Sequence, residues 1–469
     1  MLRSGSTACG LVRAAVVTTF MTIGMLFATG ASADDGSAVE DIVAVLREKG
    51  LIDQATSDEI LAKQAKSAAA SHEAKTAPPA AQGLLDGFIF SGDLRLRDEQ
   101  YWYNTGLQGA TANDNNRFRY RARFGFTKQV NDWALVGVRL VSATGTGDGV
   151  NRSTNVSAGE TSDFSYDPVW FDRLYAQVTL PDPGIGLTTT LAGGKMANPF
   201  IWKNGLDRML WDDDIPPEGV QMTMTYPLAE NAKLWANLAY YVELQNASQV
   251  DPRVYAYQAG GSVKLPGAVE LGARASYYDW RHLANDATLP APNARTGYFD
   301  RSRAKGNLAN GFDPDMRIVE SSGFVTWSGL EGWPAIVWGT WAQNIAADGG
   351  VVNGIRIGAN DQAYGFGVEA GDAKKWLRVG VAFQHVEANS VPALYTDSDM
   401  FDGLTNREGF ALYGWREIMP NTELRLSLWD SHPIKTTSSG AGGGPFNISG
   451  GTDSQADRLR LQSDLNFKF

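Results

Sequence analysis

Eight arginines of this chain stand in strict alternation with apolar residues. RFRYRARF (117–124) sets Arg117, Arg119, Arg121 and Arg123 against Phe118, Tyr120, Ala122 and Phe124. LRLR (94–97) adds Arg95 and Arg97, and RLRL (458–461) adds Arg458 and Arg460. Successive side chains of a strand point to opposite faces, so each run has one cationic and one apolar face. A nucleic-acid-binding sheet would place rings and cations on the same face, because bases stack on rings while phosphates meet cations. Here they are segregated, and the chain is acidic, with formal net charge -11 and pI about 5.0. No nucleic-acid partner is expected. The alternative is a sheet with lipid on one side and water on the other.

The opposing charge gathers in residues 197–219, which carry Asp207, Asp212, Asp213, Asp214 and Glu218. Asp213 and Asp214 lie beside Pro216 and Pro217, a combination that makes a stiff turn. The segment reads as a loop whose acids face the arginines, as a solvated surface loop, or as a calcium site. Clustered carboxylates bind Ca²⁺, but no regular EF-hand spacing is present, so no metal is assigned.

Residues for catalysis are not gathered in this way. His72, His282, His385 and His432 are scattered, and only His385, beside Glu387, lies inside a strand-like run. No nucleophile and base stand together, and no CxxCH is present to hold a c-type haem. No catalytic residue, enzyme activity or cofactor is expected.

The N-terminus reads as an export signal over residues 1–33. Arg3 and Arg13 precede or flank the apolar run AAVVTTFMTIGMLFATG, and Ala31-Ser32-Ala33 is a small-residue cleavage site. Cys9, the only cysteine, lies inside that signal, so the mature chain has no disulfide or thiolate metal site. Removing the two arginines takes the net charge from -11 to -13. No later stretch has the roughly 18 consecutive apolar residues of a membrane helix. Any membrane crossing must then use strands.

Residues 34–66 form a short periplasmic helical segment. Val39, Ile42, Val43 and Leu46 have helical spacing, Gly50 ends the first helix, and Thr56 or Ser57 caps a second carrying Ile60 and Leu61. This is either a plain helical pair or one that self-associates or touches the cell wall. Residues 67–86 form an Ala/Pro-rich linker.

From residue 87 to 469, period-two alternation dominates and predicts about sixteen strands. The fold class is all-β, a transmembrane antiparallel barrel. A membrane strand needs about 9 to 11 residues, and bacterial outer-membrane barrels have even strand counts. The sheet must close, because an unpaired backbone group in hydrocarbon costs several kcal/mol. The first and last strands should therefore pair, joining Arg458 and Arg460 to Arg95, Arg97 and the 117–123 ladder as one cationic wall. Tyr101, Trp102, Tyr103, Trp133, Trp170, Trp280, Trp333, Trp376 and Trp429 sit at strand ends, as interfacial aromatics do.

FSGDLRLR, RFRYRARFGF, GGKMANPFIWKN…LWDDDIPPEG and the terminal LNFKF, with the signal and the short helical segment, together resemble the putative porin family of proteobacterial outer membranes. The resemblance covers about residues 83–469, and its most specific piece is 193–219. It implies a cell-outer-membrane, multi-pass barrel that lets small hydrophilic solutes or ions diffuse through a water-filled lumen. It implies that the loop at about 197–219 folds inward as a constriction. It also implies assembly as a homo-oligomer, a trimer, with Phe469 as the signal read by the outer-membrane assembly machinery. Two other readings stay open: a barrel sheath around a periplasmic electron-transfer partner, and an outer-membrane barrel enzyme.

Overall fold

A computed structural model describes residues 87–104, 115–142, 156–157, 168–201, 209–243, 251–282, 316–331, 333–352, 355–401, 403–435 and 456–469. The expectations for the signal, the helical segment and the linker lie outside these residues, as does Asp207.

Among the described residues sixteen antiparallel strands form one barrel. The first eight are β1 (Phe88–Asn104), β2 (Asn115–Asn131), β3 (Ala134–Ser142), β4 (Val169–Leu180), β5 (Thr188–Lys195), β6 (Glu218–Ala229), β7 (Ala232–Val242) and β8 (Arg253–Leu265). The second eight are β9 (Val269–Arg281), β10 (Met316–Trp327), β11 (Ala335–Asn344), β12 (Gln362–Gly371), β13 (Arg378–Val386), β14 (Arg407–Met419), β15 (Thr422–Pro433) and β16 (Asp457–Lys468). Each pairs with its sequence neighbours, and β1 pairs with β16 from Asp93↔Lys468 to Asn104↔Asp457. The closure expected from the cost of an open edge is present. Among the described residues helix is nearly absent; α1 (Ser398–Phe401) is a single turn.

The alternation sorts side chains as the sequence predicts. Phe118 and Phe124 are 51% and 49% exposed on the outer face, while Arg119 and Arg121 are buried on the inner one. A soluble protein would not leave Phe90, Phe171, Phe366 and Phe410 exposed as this barrel does; a hydrocarbon surround makes those positions favourable. Not every end-of-strand aromatic joins the outer belt. Tyr101, Trp280 and Trp429 are buried on the inner face, because each lies in phase with inward polar residues of its strand. Trp429 Nε1 donates to Gln462 at 2.9 Å.

The seam is closed at its lower end by the chain terminus. Gly92 N donates to Phe469 O at 2.8 Å, and Phe469 N donates to Gly92 O at 3.1 Å. A Cβ at Gly92 would fall 2.4 Å from the Phe469 ring, so only glycine admits the ring here.

Short turns join the strands at one end, for example at 132–133, 230–231, 266–268 and 420–421, and the long connections lie at the other. The described residues of two of those connections, 196–217 and 387–406, pack against the inner wall.

Candidate functional site

Register explains why the arginine wall needs partners. Between β1 and β2, Arg95 lies opposite Arg121 and Arg97 opposite Arg119, flanked by Asp93↔Arg123 and Glu99↔Arg117. Like charges directly opposite destabilise a sheet, and these are set in a wall partly shielded from water. Acids from four places offset them. Glu99, fully buried on β1, lies 2.5 Å from Arg460, 2.8 Å from Arg117 and 3.4 Å from both Arg97 and Arg119. Asp464 on β16 lies 2.5 Å from Arg97. Asp93 lies 2.7 Å from Arg123. The remaining acids come from the inward segments.

The first inward segment, 196–217, is clamped at its base by a hydrogen bond from Met196 N to Pro217 O at 3.0 Å. Residues 199–200, just inside that base, are seated on the wall away from the arginines. Arg274 on β9 donates to Phe200 O at 2.6 Å, and Asn237 on β7 donates to Pro199 O at 3.3 Å. The Phe200 ring packs edge-on to Tyr278, with ring centres 5.7 Å apart. The later part of the segment brings Asp214 to the arginine wall. Asp214 lies 2.6 Å from Arg121, 3.6 Å from Arg123 and 3.7 Å from Arg95.

The acids expected to act together divide. Asp214 meets the arginines. Asp212 turns away, its carboxylate accepting from Asp214 N at 2.9 Å and from Ser398 N at 3.1 Å. Asp213 is exposed. Carboxylate oxygens of the three lie within 4.8 Å of one another, but Arg121 and backbone N–H groups supply counter-charge to two of them. Glu218 is a correction: it begins β6, and its largely exposed carboxylate pairs with Lys195 at 3.1 Å. It belongs to the strand ladder opposite Lys195 and not to the loop.

The second inward segment, 387–406, was not legible as one in the sequence. It carries α1, whose Asp399 lies 2.8 Å from Arg97 and 3.2 Å from Arg460. Arg460 also donates to the carbonyls of Ser398 and Asp399, at 3.0 and 2.9 Å, and Arg458 to that of Met400 at 3.0 Å. These are the orphan carbonyls of a short helix, which guanidinium donors satisfy. The two segments also hold each other: Asp212 N donates to Tyr395 O at 2.7 Å. Trp211, Trp280 and Tyr395 form one aromatic cluster with ring centres 4.9 to 5.8 Å apart.

Charge states of the loop acids follow from these neighbours. Burial would raise Asp214, but Arg121, Arg95 and Arg123 outweigh it and hold the carboxyl well below its usual range. Burial likewise opposes Arg97 and Arg460 at Asp399, and the arginines win. Asp212 goes the other way: burial, then Asp397 and its two aspartate neighbours, push it well above the ordinary value. Burial raises Glu243 to about 8, despite the 2.7 Å hydrogen bond it accepts from Tyr395.

Two further arginines, Arg139 and Arg173, lie on the inner wall outside the eight of the expected cationic ladder. Arg139 on β3 lies opposite Arg173 on β4, and the register slips by one residue there. Phe171 and Leu174 are both outward and exposed, so Asp172 and Arg173 both turn inward. This is a β-bulge, in which two residues oppose one and a side chain is re-aimed. Asp172 pairs with Arg139. The signal was present as a break in alternation, Val169-x-Phe171-x-x-Leu174. On the outer face, His385 Nδ1 lies 2.7 Å from Glu408, not beside Glu387, and His432 Nε2 lies 2.9 Å from the same carboxylate.

Residues 104–305 match the model of a family described as putative porin. No curated protein matches the chain. Among solved structures, the high-pH structure of OprB from Pseudomonas putida is similar at 12% identity, covering 83% of this chain and 96% of that one, with a TM-score of 0.51. The outer-membrane channel DcaP of Acinetobacter baumannii is similar at 11% identity over 82% and 98% of the two chains, TM-score 0.42. OmpF of Salmonella typhi in complex with daunomycin is similar at 9% identity over 81% and 97%, TM-score 0.44. The likeness to OprB is one of fold. Sequence over residues 104–305 and fold over the barrel point the same way as the motifs: that stretch is similar to the putative porin family, and the described residues have the fold of an outer-membrane β-barrel.

Proposed function

We propose that the chain is a passive channel of the outer membrane, through which small hydrophilic solutes and ions diffuse past an arginine wall facing an acidic loop. The observation that carries this reading is the Asp214 contact with Arg121 at 2.6 Å, made by a segment anchored on the opposite wall at Phe200. A loop that spans the lumen and sets carboxylates against guanidiniums creates a transverse field. Such a field orients polar solutes and penalises apolar ones, which keep no favourable dipole in it. Export through a cleaved signal, reading of Phe469 by the assembly machinery, and trimeric assembly belong to the same reading.

A sheath around a folded electron-transfer partner has less support. Such a partner would have to displace Phe200, Trp211, Tyr395 and Met400, all buried inside the barrel. An enzyme has none from the arrangement of histidines, since the pair that meets Glu408 faces outward. Liposome swelling tests the channel reading. Vesicles carrying the purified protein should admit small sugars and amino acids at rates that fall with solute size. Vesicles that swell no faster than protein-free ones would refute it.

A further inference from the structure

The inner wall of β2–β4 holds a cationic group that the salt-bridge network does not use. Asp172, the acid that the bulge places next to Arg173, is paired with Arg139. Arg123 is engaged by Asp93 at 2.7 Å and by Asp214 at 3.6 Å. Arg173 has no such contact among the described residues, and its buried Nε has no hydrogen-bond partner there. The ionisable groups acting on it are Arg139, Asp172, Arg123 and Tyr175.

The wall beside Arg173 is also low. Gly137 lies opposite Tyr175, and a Cβ on Gly137 would fall 2.4 Å from the Tyr175 ring. Tyr175 therefore lies flat along the wall and does not stand into the lumen. Gly125 lies opposite Arg139 on the other side. Two positions without side chains thus border a rim of three arginines. A guanidinium presents two parallel N–H donors that match the O–X–O edge of a carboxylate or phosphate.

We propose that Arg173, with Arg139 and Arg123, forms an oxyanion-binding station on the inner wall, in which the Arg173 fork takes the carboxylate or phosphate group of a passing solute. The station rests on the reading of the barrel as a channel and names the class of solute it favours. The bulge at Asp172 is what makes it. Without the extra residue, regular alternation would send either Asp172 or Arg173 to the lipid face. With it, Arg139 keeps a counter-ion while Arg173 is left to meet the solute.

The test is calorimetry on the full chain in detergent, titrated with sodium acetate, sodium phosphate and, as a spherical-ion control, sodium chloride. Saturable binding of acetate or phosphate, tighter than chloride, is expected, and the tighter of the two names the group recognised. Arg173→Gln should weaken that binding about tenfold or more, as loss of a charge-assisted bidentate pair does. Arg425→Gln, at an inner-wall arginine stacked on Tyr413 and Trp415, should leave it unchanged. Arg173→Lys keeps the charge without the fork and should bind with intermediate strength, which preserves the test if the glutamine variant does not assemble. No saturable binding, chloride binding as tightly as the oxyanions, or equal affinity in the Arg173 variants and the parent overturns the station. Conductance of the same preparation in planar bilayers separates the two proposals. Conduction without binding leaves the channel and removes the station, whereas binding without conduction does the reverse.

Discussion

Arg97 Nε lies 2.5 Å from Asp464 Oδ1, across the seam where the first strand meets the last. The two residues are 367 positions apart in sequence, and they face each other in the β1–β16 register. Both side chains are almost fully buried, at 3% and 4% exposure. The seam is thus closed by backbone pairing and by an ion pair on its inner side.

Removing one member of such a pair leaves a buried charge without its counter-ion, which costs about 3–5 kcal/mol. Asp464→Asn should lower the temperature at which the barrel loses its compact migration on unheated gels. Arg97→Met combined with Asp464→Leu should recover part of that loss, since it removes both charges. Equal stability of Asp464→Asn and the parent would show that Asp399 and Glu99 alone balance Arg97.

Exchanging the faces of one strand separates folding from selectivity. Phe124 is half-exposed on the outer face, whereas Arg121 is buried on the inner face. A charge at the lipid-facing midplane costs about 2–4 kcal/mol. Phe124→Arg should therefore reduce the amount of folded barrel, measured by the fraction of protein with compact gel migration, while Arg121→Ser should assemble. The opposite pattern would mean that the faces are inverted.

Much of this barrel is legible in the sequence because two physical periods coincide. Strand geometry repeats every two residues, and lipid on one side with water on the other makes that repeat visible in RFRYRARF and RLRL. Pairing of the first and last strands follows from the cost of an open edge. What the sequence hides depends on distant docking. Segment 387–406 has no alternation and no run of charge, and Asp399 gains its meaning only from Arg97 and Arg460. Glu99 is in phase with Arg95 and Arg97, but nothing local marks it as the acid shared by four arginines. Glu218 misleads because it is contiguous with the acidic loop in sequence, whereas β6 has already begun there.

Terminal packing gives a separable result. Gly92→Val should force the Phe469 ring from its place, since even a Cβ at residue 92 meets it at 2.4 Å. Deleting Phe469 removes a ring that is itself largely exposed, so its loss should lower outer-membrane levels in cells more than it lowers the melting temperature of barrels refolded in detergent. Unchanged surface levels of the deletion would assign the ring no part in assembly.

Docking of the inward segments should depend on pH. Glu243 is raised from its ordinary value to about 8, and it accepts a hydrogen bond from Tyr395. An acid whose value is raised in the docked state favours docking most at low pH, where it is protonated in both states. That contribution declines as pH rises above the ordinary carboxylate value, and it is lost as pH passes through about 8. Asp212, raised by burial and by Asp397, acts with the same sign. Hydrogen exchange of residues 388–401 should quicken between pH 5 and pH 8.5 in the parent. In Glu243→Gln the change should be smaller, with the residue due to Asp212. Exchange that slows with rising pH, after correction for the intrinsic rate, would contradict this assignment.

The central claim is that arginines and loop carboxylates line one aqueous path, and reversal potential in planar bilayers under a salt gradient tests it most directly. Replacing Arg119 and Arg123 with serine removes two inner-wall cations while Phe118, Tyr120 and Phe124 keep the lipid face. Its reversal potential should move toward cation preference relative to the parent. Replacing Asp213 and Asp214 with asparagine should move it toward anion preference. Opposite shifts from the two variants, in barrels of unchanged gel migration, are the predicted result. Reversal potentials identical to the parent in both would contradict it, because charges that line the path cannot be removed without changing which ions pass.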